Sequence, residues 1–258
     1  MNAPMHERVA LVTGGSRGIG ADVVRALARD GTSVFFTYAN AAAAAHALVD
    51  ELGGANVACA QSDVGDPAAH EPLVAQTIAR FGRIDTLVNN AGIFAENLFD
   101  GDDFAAWRAG WKRTFDVNLF GAVDLAYMAM RQMRVQDIVA RGVRGRVINV
   151  ASRAAHRGEM TFADYGASKA ALVNFTKSIA RGCARDGIVA FAVAPGYIET
   201  DMATESLVED GAAIRGDIPS GRVGGPDEVA SIVAFLASGG ADYATGTTID
   251  VNGASYVR

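Results

Sequence analysis

Val9-Ala10-Leu11-Val12-Thr13-Gly14-Gly15-Ser16-Arg17-Gly18-Ile19-Gly20 is the stretch on which the reading of this chain turns. Four apolar residues run into a glycine-rich turn spaced G-x-x-x-G-x-G, and a helical period follows in Ile19, Val23, Val24 and Leu27. A continuous apolar run is the pattern of a strand covered on both faces. Gly31 closes the helical segment at a C-cap position. Glycines between a strand and a helix let the backbone come close to an anion, and the helix N-terminus attracts it. The unit therefore reads as strand, phosphate-binding turn and helix, the opening of a dinucleotide-binding α/β fold.

The same alternation continues along the chain. Apolar runs at Val34–Thr37, Val57–Ala60, Thr86–Val88, Arg146–Val150, Ile188–Val193 and Thr248–Val251 predict further strands. Helices are expected from Pro67 to Phe81-Gly82, from about Asp164 to Arg185 and from Pro226 to about Ala237, and Ala41–Ala45 reads as the start of another. Such alternation implies right-handed crossovers. The expected fold is α/β: a single-domain Rossmann fold over residues 1–258, with a doubly wound, seven-stranded parallel sheet and helices on both faces. Phe94–Asp103 and Thr200–Gly225 lack strand or helix logic and are expected to be binding loops.

Half of the 258 residues are hydrophobic and 20% are charged, which allows a large core and argues against disorder. A formal net charge of −6, with the arginines dispersed, disfavours nucleic acid as a partner. No run of eighteen apolar residues suggests a membrane span, and Met1–Arg8 does not resemble a signal peptide, so a soluble, cytoplasmic protein is expected. Cys59 and Cys183 are too few for a disulfide framework and read as buried, reduced thiols. His6, His46, His70 and His156 have no ligand spacing, so no metal is expected and each reads as a surface residue.

Tyr165-Gly166-Ala167-Ser168-Lys169 places a phenol and an ammonium on one face of a predicted helix, with Ser152 thirteen residues upstream. Six tyrosines and three lysines (Lys112, Lys169, Lys177) would produce such a pair by chance with probability of roughly 7%, so its context decides. A lysine held there can lower the phenol's pKa and make Tyr165 a proton donor and acceptor near neutral pH. At the end of the second strand an Asp or Glu would hold a ribose 2′-hydroxyl. Here that stretch reads Thr37-Tyr38-Ala39-Asn40. The missing acid, with Arg17 in the glycine turn, favours NADP(H) over NAD(H).

Thr13–Gly20, Asp63-Val64, Asn89-Asn90-Ala91-Gly92, Asn118, Ser152, Tyr165 with Lys169, and Pro195-Gly196 followed by Thr200 stand in family order. By these motifs the chain resembles the short-chain dehydrogenase/reductases over nearly its whole length. The resemblance implies Tyr165 as general acid/base and Lys169 as the residue that binds the nicotinamide ribose and depresses the Tyr165 pKa. Ser152 would hydrogen-bond the substrate oxygen, and Asn118 would hold a water linking Lys169 to solvent. For the cofactor it implies Gly14, Ser16, Arg17, Gly18, Ile19 and Gly20 in the turn and Tyr38 and Asn40 at the end of the second strand. Asp63 and Val64 would meet the adenine. Asn89, Asn90, Ala91 and Gly92 would run along the adenosine side. Pro195, Gly196, Ile198 and Thr200 would face the nicotinamide, with Thr200 at the carboxamide.

Within the family, Arg8–Gly20, Ala194–Met202, Gly221–Val229 and Asp250–Gly253 look most like 3-oxoacyl-[acyl-carrier-protein] reductases. Three departures stand out: Asp186 where those enzymes often place an arginine for the acidic carrier, extra residues around Arg134–Gly145, and a longer loop between Gly92 and Asn118. The implied activity is hydride transfer between NADP(H) and a small carbonyl compound or secondary alcohol, with 3-oxoacyl thioesters among the candidates. An NAD-dependent alcohol, sugar or polyol dehydrogenase and a non-catalytic nucleotide sensor are the alternatives. Arg153, Ala155, His156 and Met160 are expected on one wall of the substrate pocket, and Tyr197 and Met202 on another. There Arg153, His156 and Arg157 would meet an anionic or phosphorylated substrate. A homo-oligomer, tetramer or dimer, is expected through the helices near Asn118 and Tyr165 and the C-terminal segment.

Overall fold

Strands β1 (Val9–Val12), β2 (Ser33–Tyr38), β3 (Val57–Gln61), β4 (Thr86–Asn89), β5 (Gly145–Val150), β6 (Ile188–Pro195) and β7 (Thr248–Val251) form one sheet in the order β3-β2-β1-β4-β5-β6-β7. Every pairing is parallel. The structure is a computed structural model that describes residues 8–100, 102–138, 141–201 and 204–257, so His6 and Met202 lie outside the described residues. Helices α1 (Gly18–Arg29), α2 (Ala42–Glu51), α3 (His70–Phe81), α4 (Phe104–Phe115), α5 (Gly121–Val135), α6 (Ala163–Cys183), α7 (Thr204–Gly216) and α8 (Pro226–Ser238) complete it.

Two apolar layers explain why the strands are apolar along their length. Ala10, Val12, Val34, Phe36, Ile148, Val150, Phe191 and Val193 pack with Val23, Val24 and Leu27 of α1 and Val229, Val233 and Leu236 of α8. The alternate residues Leu11, Phe35, Leu87, Val147 and Ala190 pack with Leu73 of α3, Leu125, Ala129 and Met133 of α5 and Ile179 of α6. Successive strand side chains point to opposite faces, so both faces of the sheet are core. The fold is the expected doubly wound α/β sheet.

At the N-terminal rim of the strands lies a buried charge network. Arg146 donates to both carboxylate oxygens of Asp242, at 2.8 and 2.7 Å. Asp85 accepts from Arg83 at 2.8 Å and from the Val9 N–H at 2.9 Å. Arg8 donates to the carbonyls of Ala237, at 3.3 Å, and Ser238, at 2.6 Å. The network ties the starts of β1, β4 and β5 to the end of α8.

Several expectations fail. The segment from Thr200 to Gly225 is not all loop, because α7 occupies its middle. Its sequence includes Gly211 and Gly216, which weaken any helical signal, and its packed positions include Ile214. His70 is buried, 1% exposed, with Nε2 at 2.8 Å from the Val64 carbonyl. Cys59 and Cys183 are free thiols, half-buried and not buried. Among the described residues no helix is long and apolar enough to cross a membrane.

Candidate active site

The strand order reverses between β1 and β4. Open α/β sheets bind ligands at such a point, beyond the carboxyl ends of the strands. The turn after β1 carries Gly14 at φ +65° and Gly18 at φ +53°, a left-handed backbone that a side chain would strain. α1 then begins with no side-chain cap and no acid in its first turn, which leaves its N–H groups for an anion. Ser16, Arg17, Ile19 and Gly20 complete this turn. Asn90 and Ala91 bind it from across the switch point. Their N–H groups both donate to Thr13 Oγ1 at 3.0 Å, and Asn90 Nδ2 donates to the carbonyls of Thr13 and Gly14, each at 3.0 Å.

Asn89 departs from its expected place. It is buried, donating to Asn149 Oδ1 at 2.9 Å and the Ala122 carbonyl at 3.2 Å, so it ties β4 to β5 and α5 and does not line the groove. The reason is the strand's alternation, which turns Asn89 inward.

At the far end of the groove β2 finishes at Tyr38, packed edge-on to His46, with exposed Asn40 beyond it. Gln61 closes this end by donating to the Ala39 carbonyl at 2.9 Å. Arg17 is exposed and sits 3.7 Å from Asp201. Asp63 accepts from the Gly65 N–H at 2.9 Å and Arg113 Nη2 at 2.8 Å. Partial burial pushes its carboxyl upward, but these two bonds outweigh that and hold it below the usual range. Val64 is buried beside it.

The segment between α4 and α5 is a π-helical turn, Asp116–Phe120, and Asn118 sits in it. Wide turns of this kind recur at functional sites. Asn118 is buried, with Oδ1 accepting from the Ile93 N–H at 2.8 Å and Nδ2 donating to the Ile93 carbonyl at 3.0 Å and Ser168 Oγ at 3.3 Å. It holds the loop after β4 against α6. A Cβ on Gly92 would lie 3.3 Å from Asn118 Oδ1 and 3.4 Å from Lys169 Nζ, so glycine keeps this floor open. The uncapped helix end, the left-handed glycines and the open floor fit a dinucleotide.

Ser152 follows β5 and caps a short 3-10 turn, its Oγ accepting from the Ala154 N–H at 3.1 Å. Tyr165 lies in the first turn of α6 and Lys169 one turn on. Lys169 is 4% exposed, donates to the Val150 carbonyl at 2.9 Å, and is pushed by burial down to about 8. Burial raises the Tyr165 phenol above its ordinary value, a hydrogen bond with Ser152 pulls it down, and Glu159 pushes it up.

The expected depression of the Tyr165 pKa by Lys169 is therefore not what this arrangement produces. Lys169 Nζ lies 5.7 Å from the Tyr165 ring centroid and is engaged by a carbonyl, while desolvation dominates at the phenol. Tyr165 is held protonated beside a hydroxyl, an arrangement suited to giving a proton to a substrate oxygen.

Sequence reasoning missed the supports around Tyr165. Phe94 stacks on Phe162 at 3.7 Å between ring centroids and meets Tyr165 edge-on at 4.9 Å. Buried Asp164 accepts from Thr114 Oγ1 at 2.7 Å, Asn97 Nδ2 at 3.4 Å and the Tyr165 N–H at 2.9 Å. The signals were modest: Asp164 neighbours Tyr165, and Phe94 and Asn97 lie in a segment already marked as a binding loop.

Of the expected pocket walls, Arg153 and Tyr197 come together, the guanidinium carbon 4.3 Å from the ring centroid. His156 stacks on Tyr256 at 5.9 Å. Met160 is 89% exposed and projects into solvent, which removes it from the wall. Arg157 lies 3.5 Å from Glu159. Pro195 ends β6 and Gly196 follows it, with the Gly196 N–H donating to the Val251 carbonyl at 2.9 Å. Ile198 bridges to Gly224, and a Cβ on Gly18 would sit 3.2 Å from Thr200 Cγ2, which places Thr200 over the glycine turn.

Comparison with known proteins fits this geometry. The family model described as Enoyl-(Acyl carrier protein) reductase matches residues 14–254. The 3-oxoacyl-[acyl-carrier-protein] reductase FabG of Escherichia coli is 41% identical over 97% of this chain and 98% of its own length. The acetoacetyl-CoA reductase of Shinella zoogloeoides is 38% identical over 96% of this chain and 98% of its own. Among solved structures, a short-chain dehydrogenase/reductase from Serratia marcescens superposes with TM-score 0.88 at 33% identity, covering 99% of this chain and 100% of that one. A short-chain dehydrogenase from Burkholderia cenocepacia, solved in complex with NADP, has TM-score 0.87 at 32% identity, covering 98% of this chain and 99% of that one. An oxidoreductase site on this fold, with matches spanning nearly the whole chain, makes it a member of the short-chain dehydrogenase/reductase family.

Proposed function

We propose that the chain, acting as one Rossmann-type unit, is an NADP(H)-dependent reductase of carbonyl compounds, with 3-oxoacyl thioesters in its range. One observation carries this reading: Tyr165 is desolvated, hydrogen-bonded with Ser152 and one turn from Lys169 at the switch point of the sheet. A nicotinamide cofactor supplies the hydride when bound. Tyr165 gives its phenolic proton to the carbonyl oxygen, Ser152 hydrogen-bonds that oxygen, and a solvent proton restores the phenol. Lys169 stands ready for the ribose hydroxyls. Asn118 acts as a positioning residue through Ile93 and Ser168.

NADP(H) is supported by the absence of an acid at the end of β2, by exposed Arg17, and by the NADP complex of a structural neighbour. The thioester is supported by the names of the relatives, FabG and acetoacetyl-CoA reductase. Asp186 is ion-paired with Arg134 at 2.8 Å. This position therefore presents no net positive charge to an acidic carrier, and the reading is of thioesters in general. Exposed Phe120 and Tyr127, beside α4 and on α5, support association as a dimer or tetramer.

The test is NADPH oxidation with acetoacetyl-CoA, alongside NADH and the Tyr165→Phe variant. Turnover with NADPH is expected to fall about 10²–10⁴-fold in the variant. Equal use of NADH would remove the cofactor assignment, and bound NADPH without turnover would remove the thioester.

A further inference from the structure

Three arginines are less than one-tenth exposed among the described residues: Arg146 at 0%, Arg8 at 2% and Arg153 at 8%. Two of them belong to the N-terminal rim, where carbonyls and Asp242 receive their hydrogen bonds. Arg153 is different. Among the described residues its side chain has no ion pair and no hydrogen bond, and its guanidinium rests on the face of Tyr197.

A guanidinium cannot shed its charge on burial. Contact with an aromatic face offsets only part of the lost hydration. A largely buried guanidinium with no carboxylate beside it is a favourable place for an anion. Arg157, four residues on, is matched by Glu159 at 3.5 Å, and Arg222, which lines a cavity with Tyr197, by Glu228 at 2.7 Å. Its place is also telling. Arg153 directly follows Ser152, which contacts Tyr165, and Tyr197 directly follows Gly196, the residue after β6.

We propose that Arg153, backed by Tyr197, is the subsite for a substrate carboxylate, so that the preferred substrate is an oxo compound bearing a carboxylate within a few bonds of the keto carbon. This rests on the reductase reading above and names its substrate class. With one face against Tyr197, the guanidinium keeps its edge for a ligand, and that planar fork matches a carboxylate through paired hydrogen bonds. The ring fixes the fork in place before substrate arrives. A neutral keto ester would leave the cation unmatched, and the site would discriminate against it.

Ethyl acetoacetate and monoethyl 3-oxoglutarate share a keto ester and differ by a terminal carboxylate. In the wild type, kcat/KM for the carboxylate compound is expected to exceed that for the neutral ester by about tenfold or more. Arg153→Met should bring the ratio close to one, and Arg153→Lys should restore part of it. NADPH affinity, read from nucleotide fluorescence without substrate, checks that each variant is folded. An unchanged ratio in Arg153→Met would overturn the subsite. A second readout needs no turnover: glutarate should raise the Tm of the wild type with NADP bound and not that of Arg153→Met. If neither ester is reduced while glutarate shifts only the wild type, the reductase reading falls and the subsite stands. Equal shifts in both proteins overturn the subsite.

Discussion

The two rims of the sheet bury charge in opposite ways. Where the strands begin, Arg8, Arg83, Asp85, Arg146 and Asp242 form a network in which each carboxylate meets a guanidinium. Where they end, Lys169 has a neutral carbonyl, Tyr165 a hydroxyl and Arg153 an aromatic ring. The first arrangement fixes strand starts against the end of α8, with both carboxylates matched by guanidinium groups and Arg8 held by carbonyls. The second keeps ionisable groups desolvated and short of counter-charge, a state that costs stability and suits chemistry.

The sharpest way to break the contrast is at the N-terminal rim. Asp242→Ala would leave Arg146 buried without its partner. We expect a loss of about 3–5 kcal/mol, read from the midpoint of chemical denaturation, with the reaction rate of the folded fraction retained. A loss no larger than that of an exposed ion pair would mean the two rims do not differ in kind.

Lys169→Met probes the other rim and should have the opposite sign. With its pKa lowered in the fold from 10.5 to about 8, Lys169 binds fewer protons folded than unfolded between these values. Wild-type stability should therefore rise from pH 8 toward pH 10.5 on this account. Below pH 8 the buried charge is a standing cost, on the order of 3 kcal/mol. The methionine variant should be more stable at pH 7, with that rise removed and NADPH binding weakened. Equal pH dependence in both proteins would show that Lys169 is hydrated in solution.

The smallest effect on stability is expected from Arg17→Ala. Arg17 and Asp201 are 69% and 76% exposed at 3.7 Å, and such pairs contribute little. The Tm should stay in place while NADPH affinity falls about tenfold relative to NADH. A parallel loss for both nucleotides would remove Arg17 from the 2′-phosphate.

How far these regions were legible follows from their physics. Strands β1 and β7 match their predicted bounds, and β4 and β5 come within a residue; in β1, burial on both faces writes an unbroken apolar run. Helix α7 was not visible, since Gly211 and Gly216 weaken its helical signal. Catalytic residues stood out because Tyr165 and Lys169 share a helix face. The sign of the Tyr165 shift did not, because its desolvation involves Phe94, which arrives from the loop after β4. His70 looked like a surface residue because its burial depends on how the chain between Val64 and His70 turns back to present the Val64 carbonyl.

The π-helical turn at Asp116–Phe120 also sets a phase. An α-helix advances about 100° per residue, and a turn of i→i+5 bonding absorbs one residue beyond that rhythm. Helices α4 and α5 thus run as one rod whose two halves face different directions, α5 toward the sheet with Leu125 and Met133 and α4 toward α6 with Thr114. Deleting a single residue from the turn would restore the regular rhythm. One half would then have to rotate, and Asn118 would swing off Ile93 without any side chain having been changed.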